Sequence, residues 1–352
     1  MNKPALFGLT KSNRDFTKKT SWGKNQFNSS FPASLCAYFE HRNLSPNYLT
    51  VKNNKLIIST KTVSMIFGLG CKSIDDVFYA FESAYTPYNK YVLGTLPRTD
   101  LVIQDYNSGK CLRGLEIKLT ALPDQTTFNK KESEYGSEIV IRPDTIVYLA
   151  CSLIETMEQA NVSFDAYKRL DFEALDEPQD AVDLAKDILS NINSIINDCA
   201  GTESPVLVQP VWKTQGKSPI LSEHCLDVFV WSDIGLAKFI HDIAIPVIKS
   251  GKMTRQYRTV VWLYKMLNDY FMNGAFNHKV IIDKLSFNLK NDKAFSSTGA
   301  VNNPFMACDN LTKPRISKKE IKNIILNNGQ NLLSPERRFD AIICNSPDLF
   351  EE

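Results

Sequence analysis

The chain has 352 residues, 43% of them hydrophobic, and a formal net charge of +2. That is ample for a large core, and so small a net charge neither demands nor excludes a nucleic-acid partner, because binding depends on where the charges sit. No run approaches 18 apolar residues, which sets aside a membrane-spanning helix; the eight cysteines stand singly, with no CxxC pair, which sets aside a zinc knuckle.

Residues 1–30 are rich in Lys, Asn, Ser and Thr and read as an arm or irregular segment. Pro32 opens a helix through Phe39, since proline suits a first helical position. Leu56–Ser59 reads as a short strand. Ser73 can cap a helix, with Asp75 and Asp76 at its positive end. Ile74, Val77, Phe78, Phe81 and Tyr85 then fall at helical spacing up to Pro87, which places Glu82 at the edge of the buried stripe. Lys90–Leu96 and Asp100–Tyr106 read as strands. Asn107-Ser108-Gly109-Lys110 is a turn signal before a third strand, Cys111–Leu122, so the last two strands should form an antiparallel hairpin.

Pro143 starts the next helix, followed by an acidic irregular stretch, 163–180, and an amphipathic helix over Asp180–Asp198. Pro205–Trp212 and Cys225–Trp231 read as strands. Ser232-Asp233 caps a helix to about Ile248, and Arg255–Met272 is another. His278–Leu289 reads as a strand, 290–315 as a loop, Ser317–Leu326 as a short helix and Arg338–Cys344 as a last strand. The alternation predicts a mixed α/β fold around a central sheet.

Charge is uneven along this order. Residues 1–30 and 311–338 each carry a local net of +5, and residues 155–204 a net of −9. Such runs read equally well as solvated surface. With no leader pattern and scattered free thiols, the reading is an intracellular chain in a reducing cytoplasm.

One cluster carries chemistry: Asp100 at a strand start, then Glu116-Ile117-Lys118. Residues two apart on a strand share a face, so Glu116 and Lys118 point one way while Leu115, Ile117 and Leu119 enter the opposite apolar layer. Counting outward from the turn places Asp100 opposite about residue 117, with a register open by one or two residues. Two converging carboxylates suit a hard divalent cation such as Mg²⁺, which can polarise a phosphodiester and acidify a bound water. A neighbouring lysine can stabilise charge on phosphate or help orient the water. As a bare pattern the same residues also describe a surface hairpin with a charge pair.

The segments PRTD and GLEIKLTALPD resemble the PD-(D/E)XK nuclease signature. The opening KPALFGLTKSNRDFTKKTSWGKNQFNSSFPASLCAYF, with the hairpin that follows, resembles the HindVP/HgiDI family of type II restriction endonucleases over essentially the whole chain. The resemblance implies a PD-(D/E)XK restriction-endonuclease-like core and a Mg²⁺-dependent homodimer that cuts double-stranded DNA within a GRCGYC-type palindrome. A cognate DNA methyltransferase would be its genetic partner, and a bacterial cytoplasm its setting. By that resemblance Asp100 and Glu116 are metal ligands, Lys118 the catalytic lysine and Glu82 an accessory acid. The usual Pro-Asp is here Pro97-Arg98-Thr99-Asp100; literal Pro-Asp pairs at 123–124 and 143–144 suit a turn and a helix start. The expected organisation is an arm over 1–50, a nuclease core over 51–235 and an elaboration for DNA recognition and dimerisation over 236–352.

Arg and Lys read guanine, and Asn or Gln adenine, while phosphate contacts only position a protein. Candidate DNA contacts are Lys11, Arg14, Lys24, Asn25, Arg98, Arg255, Arg258, Lys290 and Lys293, with Asn13 and Gln256 nearby. No GxxxxGK[ST] loop is present, which disfavours an ATP-driven enzyme. Two other readings share these features: a repair or recombination nuclease with the same core, and a non-catalytic DNA-binding protein.

Overall fold

The computed structural model describes residues 11–13, 24–118, 120–122, 142–167, 169–172, 174–213 and 226–287. Arg14, Lys290, Lys293 and the elements expected beyond residue 290 lie outside these. The fold is the mixed α/β arrangement expected from the sequence, built on one sheet.

Helix α1 (Lys24–His41) leads into the hairpin of β1 (Asn47–Lys52) and β2 (Lys55–Thr60), then a short α2 (Val63–Phe67). The helix begins eight residues before the Pro32 start and runs through that proline, at the cost of one backbone hydrogen bond. Next come β3 (Val77–Ser83), β4 (Thr99–Asp105), β5 (Cys111–Ile117), β6 (Thr120–Leu122) and α3 (Pro143–Gln159). The expected Asp180–Asp198 helix is two: α4 (Pro178–Asp183) and α5 (Ala185–Cys199), broken at Leu184. Strands β7 (Pro205–Lys213) and β8 (Leu226–Ser232) precede α6 (Asp233–Ala244), α7 (Val247–Ser250), α8 (Arg255–Asn273) and α9 (His278–Lys284).

Three assignments are corrected. The helix expected from Ser73 is a single 3-10 turn followed by strand β3. The cap is real: Ser73 Oγ accepts from Asp75 N–H, and Asp76 Oδ2 accepts from Ser73 N–H. Beyond it, Val77, Phe78, Tyr79 and Phe81 are β-branched or aromatic residues that pair better in a sheet. Lys90–Leu96 is no strand; a 3-10 turn spans Thr86–Tyr91 and buries Tyr88 and Tyr91. His278–Leu289 starts as a helix instead, capped by Asn277, whose Oδ1 accepts from Val280 N–H. Its buried residues His278, Ile281 and Leu285 follow helical spacing.

The strand order is β2-β1-β8-β7-β5-β4-β3, with β6 also pairing to β7. β5–β7 and β1–β8 are parallel, and the other neighbours on that path are antiparallel. One face carries Leu101, Ile103, Leu115, Ile117, Val208 and Val230, covered by Leu35, Cys36 and Phe39 of α1. The other carries Val102, Leu207, Phe229 and Trp231, covered by α3, α5, α6 and α8. Residues 11–13 extend the far edge: Ser12 bridges Tyr79, and the Asn13 side chain exchanges hydrogen bonds with the Phe81 backbone at 2.9 and 3.1 Å. Asn13 thus helps to cap this sheet edge. Among the described residues no helix is long and apolar enough to cross a membrane.

Candidate active site

The β4–β5 hairpin places the chemistry. Its turn is set by Asp105, whose Oδ1 accepts from Ser108 N–H and Ser108 Oγ, both at 2.7 Å, and by Gly109 at φ +70°. The partly buried pairing of Lys72 with Asp105 holds that carboxyl far below its usual range. Asp105 is therefore a turn residue, away from the acids of the site.

The register pairs Leu101 with Leu115 across the hairpin, and Phe81 with Leu101 and Ser83 with Thr99 across β3–β4. Filling the gap between the two β3–β4 pairs and extending the β4–β5 ladder by one residue lines up Glu82, Asp100 and Glu116 as one row across three neighbouring strands. The row continues to Leu207 on β7, the partner of Glu116. Asp100 thus stands opposite Glu116, one residue from the count made on sequence.

Each side chain in this row is held. Ile117 N–H donates to Asp100 Oδ2 at 2.8 Å, and Thr99 Oγ1 donates to Glu116 Oε2 at 3.4 Å. Lys118 Nζ pairs with Glu116 Oε1 and lies 4.0 Å from Asp100 Oδ2. The Glu116 side chain is only 7% exposed, Lys118 13% and Asp100 28%. Burial, then the charge of Glu116, pushes the Asp100 carboxyl up to about 7, against the pull of Lys118 and the Ile117 amide. Glu82 adds to the same negative field.

Two backbone features shape the site. Glu82 has φ +49°, in the left-handed region that costs a non-glycine residue about 1–3 kcal/mol and concentrates at functional sites. Lys118 lies outside both β5 and β6. Its N–H donates to Val208 O at 2.9 Å; the next donor of a parallel ladder would come from residue 210, which is proline. The missing donor explains why the strand is interrupted at the lysine.

A family model for HindVP restriction endonuclease matches residues 22–350. The chain belongs to the HindVP restriction endonuclease family. It is 45% identical over 349 residues to "Probable type II restriction enzyme HindVP" of Haemophilus influenzae, covering 99% of this chain and 95% of that protein. It is 43% identical over 359 residues to "Type II restriction enzyme HgiDI" of Herpetosiphon aurantiacus, covering 100% and 98%. No solved structure matches the chain. The protein is thus a type II restriction endonuclease, and its mixed sheet flanked by helices is consistent with a restriction-endonuclease-like core.

In this endonuclease the expected trio Asp100, Glu116 and Lys118 does come together. Glu82 joins the row too, from a strand rather than the expected helix. Sequence reasoning passed over Asp144 of the second Pro-Asp pair. Asp144 does occupy the first turn of α3, as expected of a helix start. Its side chain is exposed, yet desolvation and the charge of Glu116 raise its carboxyl, while His278 and Lys118 pull it down. The helix start lies within the electrostatic reach of Glu116 and Lys118. Tyr148, one turn further along, ties this end of α3 to the hairpin: its hydroxyl donates to Pro97 O at 2.7 Å and accepts from Tyr85 N–H at 3.1 Å.

The expected DNA contacts divide. Arg98 is exposed, two residues from Asp100. Lys11 sits over the Tyr106 ring at 4.1 Å. Lys24 and Asn25 occupy the first turn of α1, and Arg255 the first residue of α8. Arg258 is corrected: it is 2% exposed, stacked over Trp262, and its Nη1 donates to Ser286 O at 3.2 Å. It is a packing residue because α8 buries that face against α9 and the residues after it. Gln256 is buried as well.

The divalent cation that the resemblance implies would meet a sparse donor set. Among the described residues no group of three or more His, Cys, Asp or Glu side chains forms a ready-made cage. Two carboxylates do fit Mg²⁺, which keeps several waters and takes only one or two carboxylates beside substrate phosphate. Burial first, and the charge of Glu116 second, raise the Asp100 carboxyl, and an added positive charge would relieve the second of these.

Proposed function

We propose that the protein is a Mg²⁺-dependent type II restriction endonuclease that hydrolyses phosphodiester bonds of double-stranded DNA within a GRCGYC-type palindrome. The observation that carries this is the row Glu82–Asp100–Glu116, with Lys118 projecting beside it from a strand break. Asp100 and Glu116 would hold the cation, with Glu82 as an accessory acid. Mg²⁺, when bound, supplies Lewis-acid polarisation of the phosphate and acidifies a coordinated water.

The chain's own residues do the remaining work. The Ile117 amide holds Oδ2 of Asp100 in place, and Thr99 holds Oε2 of Glu116. Lys118 brings a positive charge into a water-poor site, where it stabilises the charge that builds on the phosphate oxygens as water attacks and the P–O bond to the leaving oxygen breaks. A palindrome is most simply read by a two-fold homodimer. Arg98, beside the site, is suited to a phosphate contact, and the N-terminal arm and the region beyond residue 236 are assigned to recognition and dimerisation. A cognate methyltransferase would protect the host DNA.

The test is digestion of plasmid DNA with purified protein and MgCl₂, with the fragment ends sequenced. Discrete fragments with ends inside a GRCGYC-type site are expected. Lys118→Ala should still bind a duplex carrying the site, measured by fluorescence anisotropy, while cleavage falls by about 10²–10³-fold or more. Random degradation would point instead to a repair-type nuclease. A Lys118→Ala protein that cuts normally would remove the lysine from the chemistry.

A further inference from the structure

The most unusual buried group near the site is Gln209. It lies in the middle of β7, between β5 and β8, and is 0% exposed. Neither its Oε1 nor its Nε2 has a hydrogen-bond partner. A buried carboxamide with both ends unpaired costs folding free energy, and native proteins rarely keep one without a use for it.

Its position is fixed by the ladder. Ile117 pairs with Val208, and Thr120 pairs with Val211, so the register is the same on both sides of the strand break. Lys118 therefore stands opposite Gln209. Alternation agrees: Ile117 and Val208 enter the layer under α1, while Glu116, Lys118, Leu207 and Gln209 belong to the other face. Partners on one rung of adjacent strands lie within side-chain reach. Lys118 here rests on Glu116. If Glu116 turns to a cation, the ammonium needs another acceptor, and Gln209 Oε1 is an unpaired one on its own rung.

We propose that Gln209 is a positioning residue for Lys118: its carbonyl oxygen accepts a hydrogen bond from the ammonium once Glu116 releases it, and so holds the charge beside the scissile phosphate. This rests on the reading of Lys118 as the group that acts on the phosphate. Gln209 forms no bond to substrate and takes no proton. It trades an unsatisfied resting state for a satisfied working one, so its removal should lower turnover without lowering stability.

The experiment compares wild type, Gln209→Met and Gln209→Glu as full-length proteins. Cleavage of a plasmid with MgCl₂ is measured at varied DNA concentration, and urea unfolding is followed in EDTA. Methionine has similar length and no hydrogen-bonding amide; glutamate restores an acceptor. Gln209→Met is expected to lose about 10–100-fold in kcat with KM within twofold, and to unfold at the same or a higher urea midpoint. Gln209→Glu is expected to recover at least part of kcat. Wild-type turnover in Gln209→Met, equal loss in both variants, or a lower midpoint in Gln209→Met would each overturn the inference. Failure of the wild-type protein to cut any DNA is a different result, which would remove the proposed function itself.

Discussion

Replacing Asp100 by Asn should stabilise the metal-free protein by an amount that grows as pH rises from about 4 to about 7. Asn keeps a carbonyl oxygen for the Ile117 amide but carries no charge opposite Glu116. The sign follows from linkage. Asp100 has a folded pKa near 7, against 3.8 for the free side chain. The folded state therefore holds its proton more tightly, and wild-type stability falls as pH rises from about 4 to about 7. A displacement of about three units corresponds to at most ~4 kcal/mol; with the side chain 28% exposed, solvent screening brings the expected gain to about 2–3 kcal/mol. Urea titrations in EDTA, read by the buried Trp231 and Trp262, should show Asp100→Asn more stable by about that much at pH 8, and by about 1 kcal/mol at pH 5. Adding MgCl₂ at pH 8 should raise the wild type and not the variant, closing the gap. A variant no more stable than wild type at pH 8, or a gain just as large at pH 5, would show that Asp100 is not held in a buried site beside a neighbouring negative charge.

Gly235→Ala offers a case in which two rules disagree in sign. Alanine is the better helix former by about 1 kcal/mol, yet a Cβ at 235 would collide with the Leu49 carbonyl oxygen and come within 2.8 Å of Ser232 Oγ. A loss of about 3 kcal/mol or more is expected from this overpacking between α6 and β1, read as a fall in Tm; an unchanged or higher Tm would refute the contact. Tyr148→Phe leaves the Tyr85 N–H and the Pro97 carbonyl without their partner. It should lower stability by about 1–3 kcal/mol in urea titration and reduce kcat more than KM, because Pro97 leads into the strand that carries Asp100; equal stability would show the hydroxyl to be dispensable. Arg258→Ala should behave as a core truncation rather than a lost DNA contact. Tm should fall, while the salt dependence of DNA binding stays as in wild type, where loss of a phosphate contact would lower its slope by about one.

Features whose causes are local could be read along the chain. The turn at residues 107–110 and the apolar flanks of the hairpin were enough to bring Asp100 beside Glu116 and Lys118, and Pro143 and Ser232 were legible as helix starts. The cap at Ser73 was legible too, but not the length of what it capped. An apolar run such as VFYAF carries no period that separates a buried strand from a buried helix. Only pairing with β4 made it a strand, and that pairing put Glu82 in the row of acids.

The rest of the site depends on long-range packing, because its members are brought together by pairings far apart in sequence. Asp144 looked like a helix start and is one; nothing local says that this end of α3 faces Glu116. Gln209 was visible as the one polar residue in VLVQPVW, yet its meaning depends on the register that sets it opposite Lys118, 91 positions earlier. Pro210 ends a ladder only because β5 runs beside it. Hydrogen-bond chemistry and side-chain alternation are written along the chain, but which strand lies next to which is settled by burying both faces of the sheet at once.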